Sequence, residues 1–136
     1  MIRVQTDDFD ACIELEQLRR SNNGQAGAIV SFTGLVRELN AGQQVTQMTL
    51  EHYPGMTEKA LEKIEQAAHD QWELTASLII HRVGPLAPDD NIVFVAAASR
   101  HRKQAFRARE YMIDTLKTLS LIHISEPTRP MKESRL

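Results

Sequence analysis

The stretch that most constrains this chain runs from Ile92 to Lys117. It opens as an unbroken apolar run, Ile92-Val93-Phe94-Val95-Ala96-Ala97-Ala98, with no polar residue to face water. Such a run predicts a buried strand. Ser99 follows as a candidate helix N-cap, then the basic cluster Arg100-His101-Arg102-Lys103. Phe106, Met112, Ile113 and Leu116 then recur at three- and four-residue steps, which predicts a helix of about four turns ending at Lys117.

That cluster stands where a helix disfavours it. The N-terminus of a helix carries roughly half a positive charge, and a cation there costs about 0.3–1 kcal/mol. Acids are the expected residues, and none follows Ser99 within the first turn. A bound anion relieves the conflict, because free N–H groups, the helix dipole and the cationic side chains all point toward it. His101 and Arg102 are therefore candidate ligands of a phosphate or similar group, and the alternative is a solvated basic turn.

The net charge of −2 argues against general nucleic-acid binding, so a basic site must be local. The cluster also lacks interleaved aromatic residues. Cys12 is the one cysteine; it falls on the apolar side of a predicted helix and reads as a buried, inert thiol. Without a disulfide framework, a leader peptide pattern or an apolar run of membrane-spanning length, the cytoplasm is the expected location.

Along the chain, Met1–Gln5 reads as an edge strand. Thr6-Asp7-Asp8 supplies capping for a helix carrying Phe9, Cys12, Ile13, Leu15 and Leu18, which Ser21-Asn22-Asn23-Gly24 terminates. Ala26–Gly34 reads as a strand whose small residues predict close approach of another backbone. Leu35-Val36-Arg37 leaves it, Asn40-Ala41-Gly42 turns, and Val45–Tyr53 is the next strand, suggesting an antiparallel hairpin. Thr57 is a candidate cap for a helix striped by Leu61, Ile64, Ala68 and Trp72. A strand over Thr75–Val83 and a loop over Gly84–Asp90 lead back to the central stretch. The order β-α-β-β-α-β-β-α predicts one α+β domain, with helices packed on one side of a mainly antiparallel sheet.

Five segments in this order resemble one family. They are Phe32-Thr33-Gly34-Leu35-Val36-Arg37, Leu50-Glu51-His52-Tyr53-Pro54-Gly55-Met56, His81-Arg82-Val83-Gly84, Ser99-Arg100-His101-Arg102 and Leu116-Lys117-Thr118. Together they are similar to the large, catalytic subunit of molybdopterin synthase, over about residues 1–118. The resemblance implies an α/β hammerhead fold, a homodimer, and a heterotetramer with a small ubiquitin-like subunit ending in a Gly-Gly thiocarboxylate. It implies sulfur transfer from that tail to cyclic pyranopterin monophosphate, two rounds giving the dithiolene of molybdopterin. It implies no cofactor and no metal, the pterin being substrate, and no nucleic-acid or membrane partner. By matching position, Arg37, His101 and Arg102 correspond to residues that contact pterin or phosphate. Leu35 and Val36 precede Arg37 in the same segment and are expected to contribute backbone contacts. Lys117 matches the family's catalytic lysine and also touches substrate.

His101 and Lys117 bracket one helix, their backbones roughly 24 Å apart at 1.5 Å per residue. One small pterin cannot touch both within one chain, so the expectation is an active site shared by two protomers.

Residues 119–136 depart from the family. Where relatives carry an aromatic, basic segment with a second active-site lysine, this chain reads Leu119-Ser120-Leu121-Ile122-His123-Ile124-Ser125-Glu126-Pro127-Thr128-Arg129. That run resembles the translation of a sequencing-library adapter, and any regular structure beyond Thr118 is expected to be unrelated to the family fold. The alternative function is then a catalytically impaired module that still binds pterin or phosphate.

Overall fold

The computed structural model describes residues 1–37, 47–50, 52–119 and 122–125. The apolar run becomes a strand, β6 (Asn91–Ser99), with every residue from Ile92 to Ser99 buried. Around it stand β1 (Ile2–Gln5), α1 (Ala11–Ser21), β2 (Ala28–Leu35), β3 (Gln47–Leu50), α2 (Met56–Gln71), β4 (Ala76–Arg82) and β5 (Gly84–Leu86). After β6 come α3 (Arg102–Leu116), a 3-10 turn at Lys117–Leu119, and β7 (Ile122–Ser125). The α+β class and the eight expected elements are present, with β5 and β7 in addition.

One sheet has the order β1-β4-β6-β2 and a second the order β5-β3-β7. β6 pairs antiparallel with β4 on one side and β2 on the other, while β1 runs parallel to β4 as the expected edge strand. Alternation along β6 then sorts the core. Val93, Val95 and Ala97 pack with Ile79 of β4, Leu61, Ile64 and Ala68 of α2, and Ala108, Met112 and Leu116 of α3. Phe94 and Ala96 pack on the opposite face with Leu78, Ile80, Phe9 and Leu18. Helices thus cover both faces: α2 and α3 on one, α1 on the other. This corrects the one-sided packing expected above, for the reason already present in the apolar run. A central strand with no polar face must be covered twice. Trp72 and Tyr111, with ring centroids 5.4 Å apart, join α2 to α3.

The expected hairpin is also corrected. β2 pairs with β6, whereas β3 pairs with β5 and β7 in the other sheet. The free edge of β6 is the better partner for β2, because it lets Phe32 lie opposite Val95 and Val30 opposite Ala97 inside the core. The predicted loop after Val83 begins instead with β5, turned away from β4 at Gly84, whose φ is +88°. Pro85 is tolerated there because β5 is an edge strand. β7 falls in the segment that resembles an adapter; its backbone pairs antiparallel with β3, Ile124 opposite Met48. An open strand edge accepts any extended backbone, whatever its origin. The turn expected at Asn40–Gly42, and Val45, Thr46 and Glu51 of the expected second strand, lie outside the described residues.

The caps shift by two to four residues. Asp10, not Thr6-Asp7-Asp8, caps α1, its carboxylate accepting the N–H groups of Cys12 and Ile13. Asp8 is engaged elsewhere, accepting from the Asn91 side chain and the Phe9 N–H; those two bonds hold its carboxyl below the ordinary value. Gly55, with φ of +83°, occupies the N-cap of α2, and Thr57 lies inside the helix, accepting the Tyr53 N–H on its hydroxyl. His101, not Ser99, is the N-cap of α3. Three apolar expectations fail at the surface. Cys12 and Ile13 are exposed, and Phe106 is 48% exposed, its place in the core taken by Ala105 and Ala108. Among the described residues, no helix is long and apolar enough to cross a membrane.

Candidate active site

Each site residue follows from a local device. Ser99 ends β6 with its side chain fully buried; its hydroxyl donates to the Glu73 carbonyl at 2.6 Å and accepts the His101 N–H at 3.1 Å. His101 adopts an extended backbone, φ −118° and ψ 126°, and its side chain makes no capping bond. Its carbonyl takes the first helical bond, from Ala105 N–H at 3.2 Å. The early N–H groups of α3 therefore lack intrahelical acceptors, as at any helix start. His101, Arg102 and Lys103 are all exposed around them, and the first turn contains no acid. That arrangement favours an anion.

The Leu35-Val36-Arg37 segment is held differently. The register of β2 slips between Gly34 and Leu35, a bulge that changes the direction of the chain. Val36 is then buried, donating its N–H to the Asp90 carbonyl at 2.9 Å and accepting the Asp89 N–H at 2.8 Å. With Val36 anchored, Leu35 and Arg37 are both exposed. Lys117 is the C-cap of α3; its N–H bonds to Ile113 and Thr115 carbonyls and its side chain is exposed.

Topology separates these groups. Ala28 lies opposite Ser99 and Leu35 opposite Asn91, so β2 carries the chain from the His101 end of the sheet to the far end. Eight strand residues span about 25 Å. From His101, α3 runs back along the same path, tied midway by Arg109 Nη1 donating to the Ser31 carbonyl at 3.4 Å. Lys117 thus finishes on the Arg37 side. One protomer brings Leu35, Val36, Arg37 and Lys117 to one end and His101 with Arg102 to the other, and does not unite the two groups.

Sequence reasoning missed the supports of both groups. Asp89, with φ of +73°, and Asp90 clamp Val36, while Ser99 and the Glu73 carbonyl clamp His101. A Pro-Asp-Asp turn before a buried strand, and a serine placed just ahead of a basic helix start, were the available signals. The His52–Gly55 motif builds the start of α2. The Glu58 carboxylate accepts the Gly55 N–H at 3.1 Å and lies 3.3 Å from His52 Nε2. Glu58 is held below the ordinary carboxyl value chiefly by hydrogen bonding to its own N–H, and further by the bonds from His52 and Gly55. Nearby His81 is buried with Nδ1 2.8 Å from the Arg82 carbonyl, and burial pushes its ring below the ordinary value.

Comparison with known proteins gives this arrangement a family. The MoaE protein family model matches residues 4–119. The "Molybdopterin synthase catalytic subunit" of Ralstonia nicotianae is 54% identical over 117 residues, covering 86% of this chain and 66% of the relative. The protein of the same name from Yersinia pestis is 50% identical over 117 residues, covering 86% of this chain and 76% of the relative. The chain thus spans about two thirds to three quarters of these relatives' lengths. The solved "Molybdopterin biosynthesis MoaE protein" of Burkholderia ambifaria superposes with a TM-score of 0.85 at 45% identity, covering 100% of this chain and 90% of that one. The chain belongs to the MoaE family, whose curated relatives are named as catalytic subunits of molybdopterin synthase.

Proposed function

We propose that this chain is the sulfur-transferring subunit of a molybdopterin synthase. Its substrate is cyclic pyranopterin monophosphate, its sulfur source the thiocarboxylated C-terminus of a small ubiquitin-like subunit, and its product the dithiolene of molybdopterin. Arg102 and His101 receive the phosphate at the start of α3, where the helix field and side-chain charge act together. Arg37 holds the pterin or its phosphate, with backbone contacts from Leu35 and from the second lone pair of the Val36 carbonyl, the Val36 N–H being engaged by Asp90. Lys117 is the catalytic group, and His101 or Lys117 carries the protons that sulfur attack requires. No cofactor of the protein's own is needed.

The observation that carries this reading is the opposed placement of the two residue groups, His101 and Arg102 at the start of α3 and Lys117, with Arg37 after β2, at the other end. A two-fold dimer that sets the start of one α3 beside the end of its mate's unites them, and the small subunits complete a heterotetramer. We place this assembly in the cytoplasm. We also read residues 119–136 as translated adapter; genomic sequence encoding Leu119–Arg129 in uninterrupted frame overturns that reading.

A sulfur-transfer assay with the thiocarboxylated small subunit and cyclic pyranopterin monophosphate tests the function. It is run on this chain and on one carrying a family C-terminal segment after Thr118. Dithiolene formation by the second chain, and slower or no formation by the first, is the expected result. The alternative, an impaired module that binds pterin or phosphate, is favoured by the missing second lysine segment and predicts binding without turnover in the first chain alone. Failure of both chains to form product refutes the assignment.

A further inference from the structure

We propose that Ser99 is a positioning residue whose buried hydroxyl sets the anion-receiving geometry of the turn from Ser99 to Arg102. The inference rests on reading the start of α3 as a phosphate receptor. A serine hydroxyl has one donor and can accept as well. Here the donor is committed to the Glu73 carbonyl at 2.6 Å and an acceptor site to the His101 N–H at 3.1 Å. Both bonds lie at a fully buried side chain, where an unsatisfied partner is costly.

Three segments converge on this point. The stretch after α2 is pinned to β6 through Glu73 and through the Thr75 N–H, which donates to the Ala98 carbonyl at 2.8 Å. The stretch before β2 is pinned by the Gly27 N–H, which donates to the Ser99 carbonyl at 2.9 Å. A Cβ on Gly27 would lie 2.4 Å from the Arg100 carbonyl oxygen, so β2's approach also fixes the other side of the turn. The His101 backbone is therefore held from two sides before the helix begins.

The position of the serine matters as much as its bonds. A serine at the N-cap itself would turn its oxygen onto the N2 or N3 N–H and use up a donor that an anion needs. Ser99 stands two residues upstream of the N-cap and spends its acceptor on the His101 N–H instead. The N–H groups of the first turn of α3 stay available, and the backbone that carries His101 and Arg102 is tied at the His101 N–H.

Titration of the full chain with inorganic phosphate, followed at the Arg102, Lys103 and Gln104 amides by NMR, tests this. Ser99→Ala should weaken phosphate binding about tenfold, the effect of one lost hydrogen bond at an ordering point. Hydrogen exchange at the His101 amide should accelerate in the same variant. Ser99→Thr, which keeps the hydroxyl, should bind within about twofold of the parent. Ile80→Val, in the core behind α1, should lower the melting temperature and leave phosphate affinity unchanged. Should Ser99→Ala not fold, Ser99→Cys gives the same comparison with a weaker hydrogen-bonding group. Equal affinity in the parent and in the hydroxyl-free variant overturns the inference alone. No phosphate-dependent shift at these amides in the parent overturns the receptor reading and the inference with it.

Discussion

Mixing two inactive chains decides whether the active site is shared. His101→Ala removes a group at the start of α3, and Lys117→Ala one just past its end. The helix separates them by roughly 24 Å, far more than the span of one pterin. In a dimer with composite sites, each site takes His101 from one protomer and Lys117 from the other. A mixed dimer then holds one site with both residues lost and one site with both intact. Equal mixing with free exchange makes about half of all dimers mixed, so about one quarter of the sites are whole. Sulfur transfer by the mixture should approach about a quarter of the parent rate, while each variant alone stays near background. The assay uses chains carrying a family C-terminal segment after Thr118, unfolded together and refolded to ensure exchange. If mass spectrometry detects mixed dimers and the rate stays at background, sites shared in this way do not exist and the composite reading is refuted.

Two further outcomes follow from the packing. Gly27→Ala drives a Cβ to within 2.4 Å of the Arg100 carbonyl oxygen, a backbone atom that cannot swing aside. It should cost about 1–3 kcal/mol and lower the melting temperature by roughly 3–10 °C; an unchanged melting curve shows that the approach of β2 to this turn is not tight. For His81, burial holds the folded ring below the ordinary value of 6.5. Below that pH the unfolded chain takes up a proton that the folded chain resists. Stability contributed by the neutral ring is thus full above pH 6.5 and declines as pH falls through that value toward the folded one. Urea midpoints measured on either side should show the decline in the parent and a flatter profile in His81→Gln; parallel profiles contradict it.

The central strand and helix were legible because their signals are local. An unbroken apolar run bounded by turn signals reads as an interior strand, and steps of three and four after it read as one buried helix face, from which only Phe106 departs. The stripe Leu61-Ile64-Ala68-Trp72 was legible for the same reason, as was the strain of cations gathered at a helix start. Cap identities were less so. Asp10 and Asp8 are chemically equal candidates, and only the arrival of Asn91 beside Asp8 assigns one to the cap and the other to the loop. Cys12 and Phe106 carry apolar side chains at periodic positions, yet the neighbouring elements do not reach them.

The chain's own residues therefore determined the class of fold, the basic helix start, the exposed Lys117 at the helix end and the distance between them. Which strands pair, and on which face each helix lies, depended on contacts between segments far apart in sequence. β2 passed over its sequence neighbour β3 for the edge of β6, where Val30 and Phe32 lie opposite Ala97 and Val95 of the core strand. The same pairing sent Arg37 to the far end of the sheet from His101. Local patterns specify what a segment can become; only the packed molecule decides which segments share a surface, because that depends on the burial each pairing achieves.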